Sequence, residues 1–181
     1  MRLAVVVAVD DAGGIGKDGG LPWRLRGDLA HFRALTTEAP PGRRNAVLLG
    51  RRTWNSLPER FRPLPGRLNL VLTRRGLVLP EGVVRAASFA AARALLAEED
   101  DLEQVFAIGG ASVYAAALAD PACARIHLTR VHGDFDCDVH FPGVPEDFRV
   151  VAQAGPFEED GQAYEFLDYE RTPVQARPQT P

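Results

Sequence analysis

The sequence predicts an α/β fold: one mixed, mostly parallel sheet with helices on both faces. Three observations predict it. Short, continuously apolar, β-branched runs such as Leu3 to Val9 suit strands buried on both faces, the habit of parallel sheets. Segments of helical period alternate with those runs along most of the chain, and strands follow alone at the end. Twice a strand runs through glycine straight into a helix start, at Gly50 and at Gly109-Gly110.

The 181 residues suffice for one domain with a sizeable core, expected over residues 1–171, with 172–181 as a disordered tail. A hydrophobic fraction of 46% and a charged fraction of 25% are ordinary for a soluble globular protein. The net charge of −3 gives no reason to expect nucleic acid as a partner. Leu3 to Val9 is too short to span a membrane and is cut off by Asp10 and Asp11. Cys123 and Cys137 fit neither a metal spacing nor a disulfide framework, so no metal is expected and both read as reduced cytoplasmic thiols. Lys17 is the only lysine; the arginine and alanine bias points to a GC-rich genome.

The elements follow in order. After the first strand, five glycines within Gly13 to Gly20 make a loop able to bend and to approach a ligand closely. A helix begins after Pro22 and Trp23 and ends near Thr36 or Thr37, closed off by Pro40, Pro41 and Gly42. Asn45 to Leu49 is a second buried strand, leading into a helix start at Gly50-Arg51-Arg52-Thr53. Cations there oppose the helix dipole, a conflict that a bound anion relieves. A proline-rich loop spans Pro58 to Gly66, and the strand Leu68 to Thr73 ends in Arg74, Arg75 and Gly76. Both arginine clusters stand just past the C-terminal ends of strands, the edge where open α/β sheets bind ligands. A short strand at Val83 to Arg85, a helix N-capped by Ser88, and a strand at Gln104 to Ile108 come next. Gly109-Gly110 then opens a helix running through Leu118. Arg125 to Val131 is a strand, Asp134 to Pro142 a polar loop. Phe148 to Ala154 and Ala163 to Arg171 form an antiparallel hairpin joined by Gly155 to Gly161.

One residue disturbs this pattern. Leu25, Leu29, Phe32 and Leu35 mark the core-packing face of the first helix, and Asp28 lies on that same face. A buried carboxylate needs a partner. The partner is either a nearby backbone N–H or arginine, or a polar, partly cationic ligand in a pocket.

The ordered set of motifs resembles the dihydrofolate reductase family. It comprises Val7 to Asp10 with Gly14 to Lys17, Leu21-Pro22-Trp23, Asp28-Leu29 with Phe32, Gly50 to Leu57, and Arg62 to Arg67. Asn69 to Thr73, Ile108-Gly109-Gly110 with Val113-Tyr114, Leu128-Thr129, and Asp138 with His140-Phe141-Pro142 complete it. The resemblance implies a central eight-stranded sheet, seven strands parallel and the last antiparallel, with four main helices. It implies NADPH-dependent reduction of 7,8-dihydrofolate to 5,6,7,8-tetrahydrofolate in a cytoplasmic monomer, with antifolates such as trimethoprim or methotrexate competing. Asp28 in place of glutamate is the family's bacterial form.

The same resemblance implies the site. Asp28 would bond the pterin 2-amino group and N3, Thr129 would support that carboxylate, and Trp23 would help hold a water near the pterin. Val6, Val7, Leu29, Phe32, Leu57, Leu64, Ile108 and Tyr114 would line the folate pocket, with Arg67 on the α-carboxylate of the glutamate tail. Ala8, Ile15 and Gly16 would meet the nicotinamide end of the cofactor. Thr53, Gly110, Ala111 and Ser112 would hold its diphosphate, and Arg51, Arg52, Thr73 and Arg74 would surround its adenosine 2′-phosphate; Gly20, Gly50, Leu72, Ile108, Gly109, Val113 and Tyr114 would also contact the cofactor. A cis peptide is implied between Gly109 and Gly110, and a lid over the site from Gly13 to Trp23. Two rivals remain: a riboflavin-biosynthesis pyrimidine reductase on the same fold, which lacks here its partner deaminase domain, and a nucleotide-binding module without catalysis.

Overall fold

The computed structural model describes residues 2–172. In chain order it contains β1 (Arg2–Asp10), β2 (Gly14–Gly16), α1 (Arg26–Thr37), β3 (Arg44–Gly50), α2 (Arg51–Ser56), β4 (Arg67–Leu72) and β5 (Val83–Ala86). There follow α3 (Phe89–Ala97), β6 (Leu102–Ala107), α4 (Ala111–Ala119), β7 (Cys123–Val131), β8 (Val139–His140), β9 (Phe148–Glu159) and β10 (Gln162–Arg171). Eight strands form one sheet in the order β5-β4-β3-β6-β1-β7-β10-β9. The pairs from β5 to β7 are parallel; β10 runs antiparallel to both β7 and β9. The expected mixed sheet with four helices and a C-terminal hairpin is therefore the architecture observed. The expected tail falls, except for Thr172, outside the described residues; Thr172 donates its backbone N–H to the Asp147 carbonyl at 2.6 Å.

The two faces of the sheet pack differently. Under α3 and α4 lies one continuous core in which Val5, Val7, Leu48, Leu70, Val105 and Ile126 meet Ala92, Leu96, Val113 and Ala117. The other face is divided into three small clusters: around Ala4, Val47 and Phe106; around Trp23, Leu25, Val131 and Tyr164; and around Leu49, Trp54 and Val71.

Three segments depart from the sequence reading. The glycine segment is no plain connection, because β2 pairs antiparallel with β8, which lies inside the expected polar loop. Asp10 holds its base, accepting from the backbone N–H of Gly14 (2.6 Å), Ala12 (3.0 Å) and Phe135 (3.2 Å). A Cβ at Gly14 would collide with Cys137 and Asp10, so only glycine passes there. Lys17 pairs with Asp136 at 3.0 Å, and the Asp138 carboxylate accepts from the N–H of Asp18 at 3.1 Å. These contacts join partners far apart in sequence, and periodicity carries no sign of them. The hairpin strand β9 continues to Glu159, so the turn narrows to Asp160-Gly161 rather than Gly155 to Gly161. Helix α1, by contrast, begins at Arg26, after Pro22 and Trp23, and ends at Thr37, as the sequence reading has it.

Candidate functional site

A cleft of about 1100 Å³ opens at the C-terminal ends of the parallel strands. Its walls come from β1, the β2 segment, α1, α2, the end of β4, the Ile108-Gly109-Gly110 turn, α4 and β7. Of the expected site residues, Val6, Val7, Ala8, Ile15, Gly16, Gly20, Asp28, Leu29, Phe32, Gly50, Arg51, Arg52, Thr53 and Leu57 line it. So do Leu72, Thr73, Arg74, Ile108, Gly109, Gly110, Ala111, Ser112, Val113, Tyr114 and Thr129.

Helix α1 supplies a buried carboxylate to the cleft. Its N-cap is Leu25, which has no capping side chain. Glu159 from the tip of the β9–β10 hairpin does that work: its carboxylate accepts from the N–H of Arg26 (2.8 Å) and Gly27 (3.0 Å) and from the Arg26 guanidinium (2.9 Å). The next residue is Asp28, 9% exposed, whose Oδ1 accepts from the Thr129 hydroxyl at 2.7 Å. Burial pushes the Asp28 carboxyl above the ordinary carboxylate range, against the pull of the Thr129 bond and of His31. The residues of α1 that are buried are Asp28 and Thr36, both polar. Leu29, expected on a core face, is instead 50% exposed and lines the cleft. The face read as core-packing is the wall of a site.

Trp23, Leu64 and Arg67 stand outside the cleft wall. Trp23 is buried against Phe135, ring centroids 5.2 Å apart at 68°, and its indole N–H has no partner among the described residues. Leu64 is buried behind Phe32 and Leu57. Asn69, two residues into β4, fixes that loop by accepting from the Leu64 N–H at 2.9 Å and donating to the Leu64 carbonyl at 2.8 Å. Arg67 lies beyond Phe32, 5.7 Å from its ring centroid, and donates to the Thr36 hydroxyl (2.6 Å) and the Pro65 carbonyl (3.0 Å).

At the opposite end the cleft is basic. Arg51, Arg52, Arg74 and Arg75 line it, and none is paired with a carboxylate among the described residues. Between the two ends runs the Gly109-Gly110 turn, joined by a cis peptide. Gly109 has φ +111°, and a Cβ there would press on the Tyr114 ring. Tyr114 donates its hydroxyl to the Val6 carbonyl at 3.0 Å.

Sequence reasoning missed Thr36, Asn69, Glu159, His31 and His127; Arg75 it had read as part of the second arginine cluster. His31 and His127 both line the cleft. A signal existed for these two: His31 stands one turn after Asp28, and His127 two residues before Thr129 on the same face of β7. Among the described residues no group of three or more His, Cys, Asp or Glu side chains could hold a metal ion. No helix among them is long and apolar enough to cross a membrane.

The chain matches the family model described as Dihydrofolate reductase over residues 2–171. It is 38% identical to the dihydrofolate reductase of Drosophila melanogaster, over 94% of this chain and 98% of that protein. It is 42% identical to the bifunctional dihydrofolate reductase-thymidylate synthase of Glycine max, over 92% of this chain but 33% of that longer protein. The solved structure of Schistosoma mansoni dihydrofolate reductase superposes with a TM-score of 0.85 at 39% identity, covering 94% of this chain and 98% of that one.

Proposed function

The chain belongs to the dihydrofolate reductase family, and on that premise we propose how its residues share the family's reaction. The reaction is the NADPH-dependent reduction of 7,8-dihydrofolate to 5,6,7,8-tetrahydrofolate, an oxidoreductase step of one-carbon metabolism.

The observation that carries the assignment of roles is the bond between Asp28 and Thr129. It is the carboxylate's one hydrogen bond among the described residues, at the bottom of a cleft. A carboxylate so placed accepts two parallel bonds from a 2-amino-pterin, at its amino group and N3. Asp28 thus anchors the ring and offsets positive charge that develops on it, rather than handing a proton to N5. Thr129 holds the carboxylate. Trp23, whose buried indole N–H has no partner among the described residues, would help hold an ordered water near the pterin, and N5 would gain its proton from water. Val6, Val7, Leu29, Phe32, Leu57, Ile108 and Tyr114 enclose the ring, and Leu64 backs them. Arg67 takes the α-carboxylate of the glutamate tail, presented by its bonds to Thr36 and Pro65.

The other end fits NADPH. Thr53 and Gly110 approach so closely that a Cβ on Gly110 would touch the Thr53 hydroxyl at 3.4 Å. That cradle, with Gly50, Gly109, Ala111, Ser112 and Val113, suits the diphosphate. Arg51, Arg52, Leu72, Thr73 and Arg74 suit the 2′-phosphate, and Ala8, Ile15, Gly16 and Gly20 the nicotinamide. When bound, NADPH supplies the hydride for C6 of the pterin. The segment from Gly13 to Trp23 excludes water around it. The domain spans residues 1–171. A monomeric, cytoplasmic enzyme that trimethoprim or methotrexate inhibits by competition completes the reading. Asp28 and the arginine bias support a bacterial source, although the relatives named above are an insect, a plant and a fluke.

Mixing the pure protein with NADPH and dihydrofolate should consume NADPH, followed by its absorbance; no consumption at saturating levels overturns the reading. Changing Arg51 and Arg74 to alanine should lower the preference for NADPH over NADH. An unchanged ratio would show the arginines to be merely solvated.

A further inference from the structure

The wall beside Asp28 holds a second polar pair that the roles above do not employ. On the face of the sheet that α1 covers, β7 presents His127 and Thr129, two residues apart. Val6 of β1 and Asp168 of β10 flank His127, as Ala8 and Phe166 flank Thr129. His127 Nδ1 lies 2.6 Å from Asp168 Oδ1. That bond holds the Asp168 carboxyl below the ordinary carboxylate range, so at neutral pH it is ionised and can only accept. A neutral imidazole has one N–H, and here it belongs on Nδ1. Nε2 is left as a bare acceptor. Among the described residues, the unpartnered polar side-chain atoms shut off from solvent belong to Trp23, Arg44, Asn45 and Arg171. His127 Nε2 makes no hydrogen bond there either and is not one of them, so it opens onto the cleft that the residue lines.

We infer that His127 is a specificity-determining residue: with its tautomer fixed by Asp168, it presents Nε2 as an acceptor to the 2-amino group of the pterin, directly or across one ordered water. The inference rests on the assignment of Asp28 as the pterin anchor. A 2-amino group carries two N–H bonds. The parallel pair with Asp28 uses one of them together with N3, and the second is left over. A buried donor without a partner costs its desolvation, so the wall must supply an acceptor. Thr129 has already given its hydroxyl proton to Asp28, at 2.7 Å. Residues two apart on one face of a strand are about 6.5–7 Å from each other. An acceptor on His127 therefore stands next to the Thr129–Asp28 bond, within the span of a bridging water. The same bare acceptor repels a carbonyl, so this wall favours a 2-amino heterocycle over its 2-oxo counterpart.

Two measurements test this. In the ligand-free protein, proton–nitrogen NMR of the imidazole rings, on the alkaline side of their titration, should find the His127 proton on Nδ1. Asp168→Val should move it toward Nε2. A parent ring protonated at Nε2 overturns the inference. In the second measurement, with NADPH present, trimethoprim and its analogue carrying hydrogen in place of the 2-amino group are titrated into the parent, His127→Phe and Asp168→Val. The preference for the amino compound should shrink about three- to tenfold in both variants, with NADPH affinity retained. The two compounds differ in basicity, but that difference is common to all three proteins and cancels in the ratio. An unchanged preference in His127→Phe overturns the inference and leaves the second N–H to the lone pairs of Thr129. A parent indifferent to the 2-amino group would instead remove the Asp28 anchor, and the inference with it.

Discussion

Helices α1 and α4 lie against the same sheet and bury opposite kinds of side chain. Those of α4 are Val113, Tyr114, Ala117 and Leu118, which close a continuous core. Those of α1 are Asp28 and Thr36, and the apolar Leu29 faces the cleft. One helix is held by the surface it removes from water. The other is held at its ends and edges: by the Glu159 carboxylate at its first turn, by Thr129 on Asp28, and by Arg67 on Thr36. The two meet at the start of α4, where Val113 and Tyr114 belong both to the core and to the cleft wall; farther along, Leu118 serves the core alone, as Asp28 on α1 serves the cleft.

The sharpest way to break that contrast is Asp28→Asn. Loss of the anchoring charge should lower kcat/KM about 10²- to 10³-fold with NADPH binding retained. Stability should not fall. The folded-state pKa of Asp28 is raised, so the folded chain holds this proton more tightly than the unfolded one. Ionisation therefore costs stability, from the ordinary carboxylate range upward, until pH has passed the folded value. The asparagine variant escapes that cost and should unfold at no lower urea concentration at neutral pH. Leu118→Ala is the mirror experiment: unfolding free energy should drop by about 2–5 kcal/mol while kcat/KM of the folded enzyme holds. An Asn variant that unfolds, or an Ala variant as inactive as Asp28→Asn, would abolish the division.

Thr129→Val comes next in size. It keeps the side-chain shape and strips the buried carboxylate of its partner, a loss of about 1–3 kcal/mol. The expected readout is dihydrofolate turnover reduced about tenfold or more, with NADPH affinity unchanged by titration. The smallest effect belongs to Glu159→Gln. The two backbone N–H groups of α1 and the Arg26 guanidinium depress the Glu159 carboxyl to about 2. Its stabilisation is full above the ordinary carboxylate range and is lost as pH falls toward that value. The glutamine variant should lack this part of the acid-unfolding slope in circular dichroism, and an unaltered slope would show that the cap contributes nothing.

Much of this was legible in sequence because it is local. Apolar runs placed the parallel strands to within a few residues, Ser88 marked α3 as the N-cap whose hydroxyl accepts from the Ala91 N–H at 3.1 Å, and glycine before a helix marked the two turns, at Gly50 and Gly109-Gly110, that line the cleft. Asp28 stood out as a carboxylate at a core position. What escaped depends on distant partners. The β2–β8 ribbon joins two segments with no strand signature, and Glu159 looks like one acid in a polar turn until the hairpin folds over α1. The spacing of His31 from Asp28 and of His127 from Thr129 was a signal, but their partners Phe166 and Asp168 come only with β10. Periodicity alone read Leu29 as core, because a helical stripe of apolar residues does not distinguish a core from the wall of a cleft; the family resemblance had put it in the pocket that it lines.

The place of β1 in the sheet has a consequence for biosynthesis. It lies between β6 and β7, with Arg2 beside Gln104 and Asp10 beside Val131. On a ribosome adding about 5–20 residues per second, this strand would leave the tunnel roughly 5–20 s before its neighbours exist. Through that interval an apolar, β-branched segment has nothing to pair with, which makes it a natural client for a chaperone. Asp28 waits as well, since Thr129 belongs to β7. Ribosome-bound chains halted before Val131 should therefore be digested readily by protease and retain no antifolate, and both properties should change together once β7 has emerged.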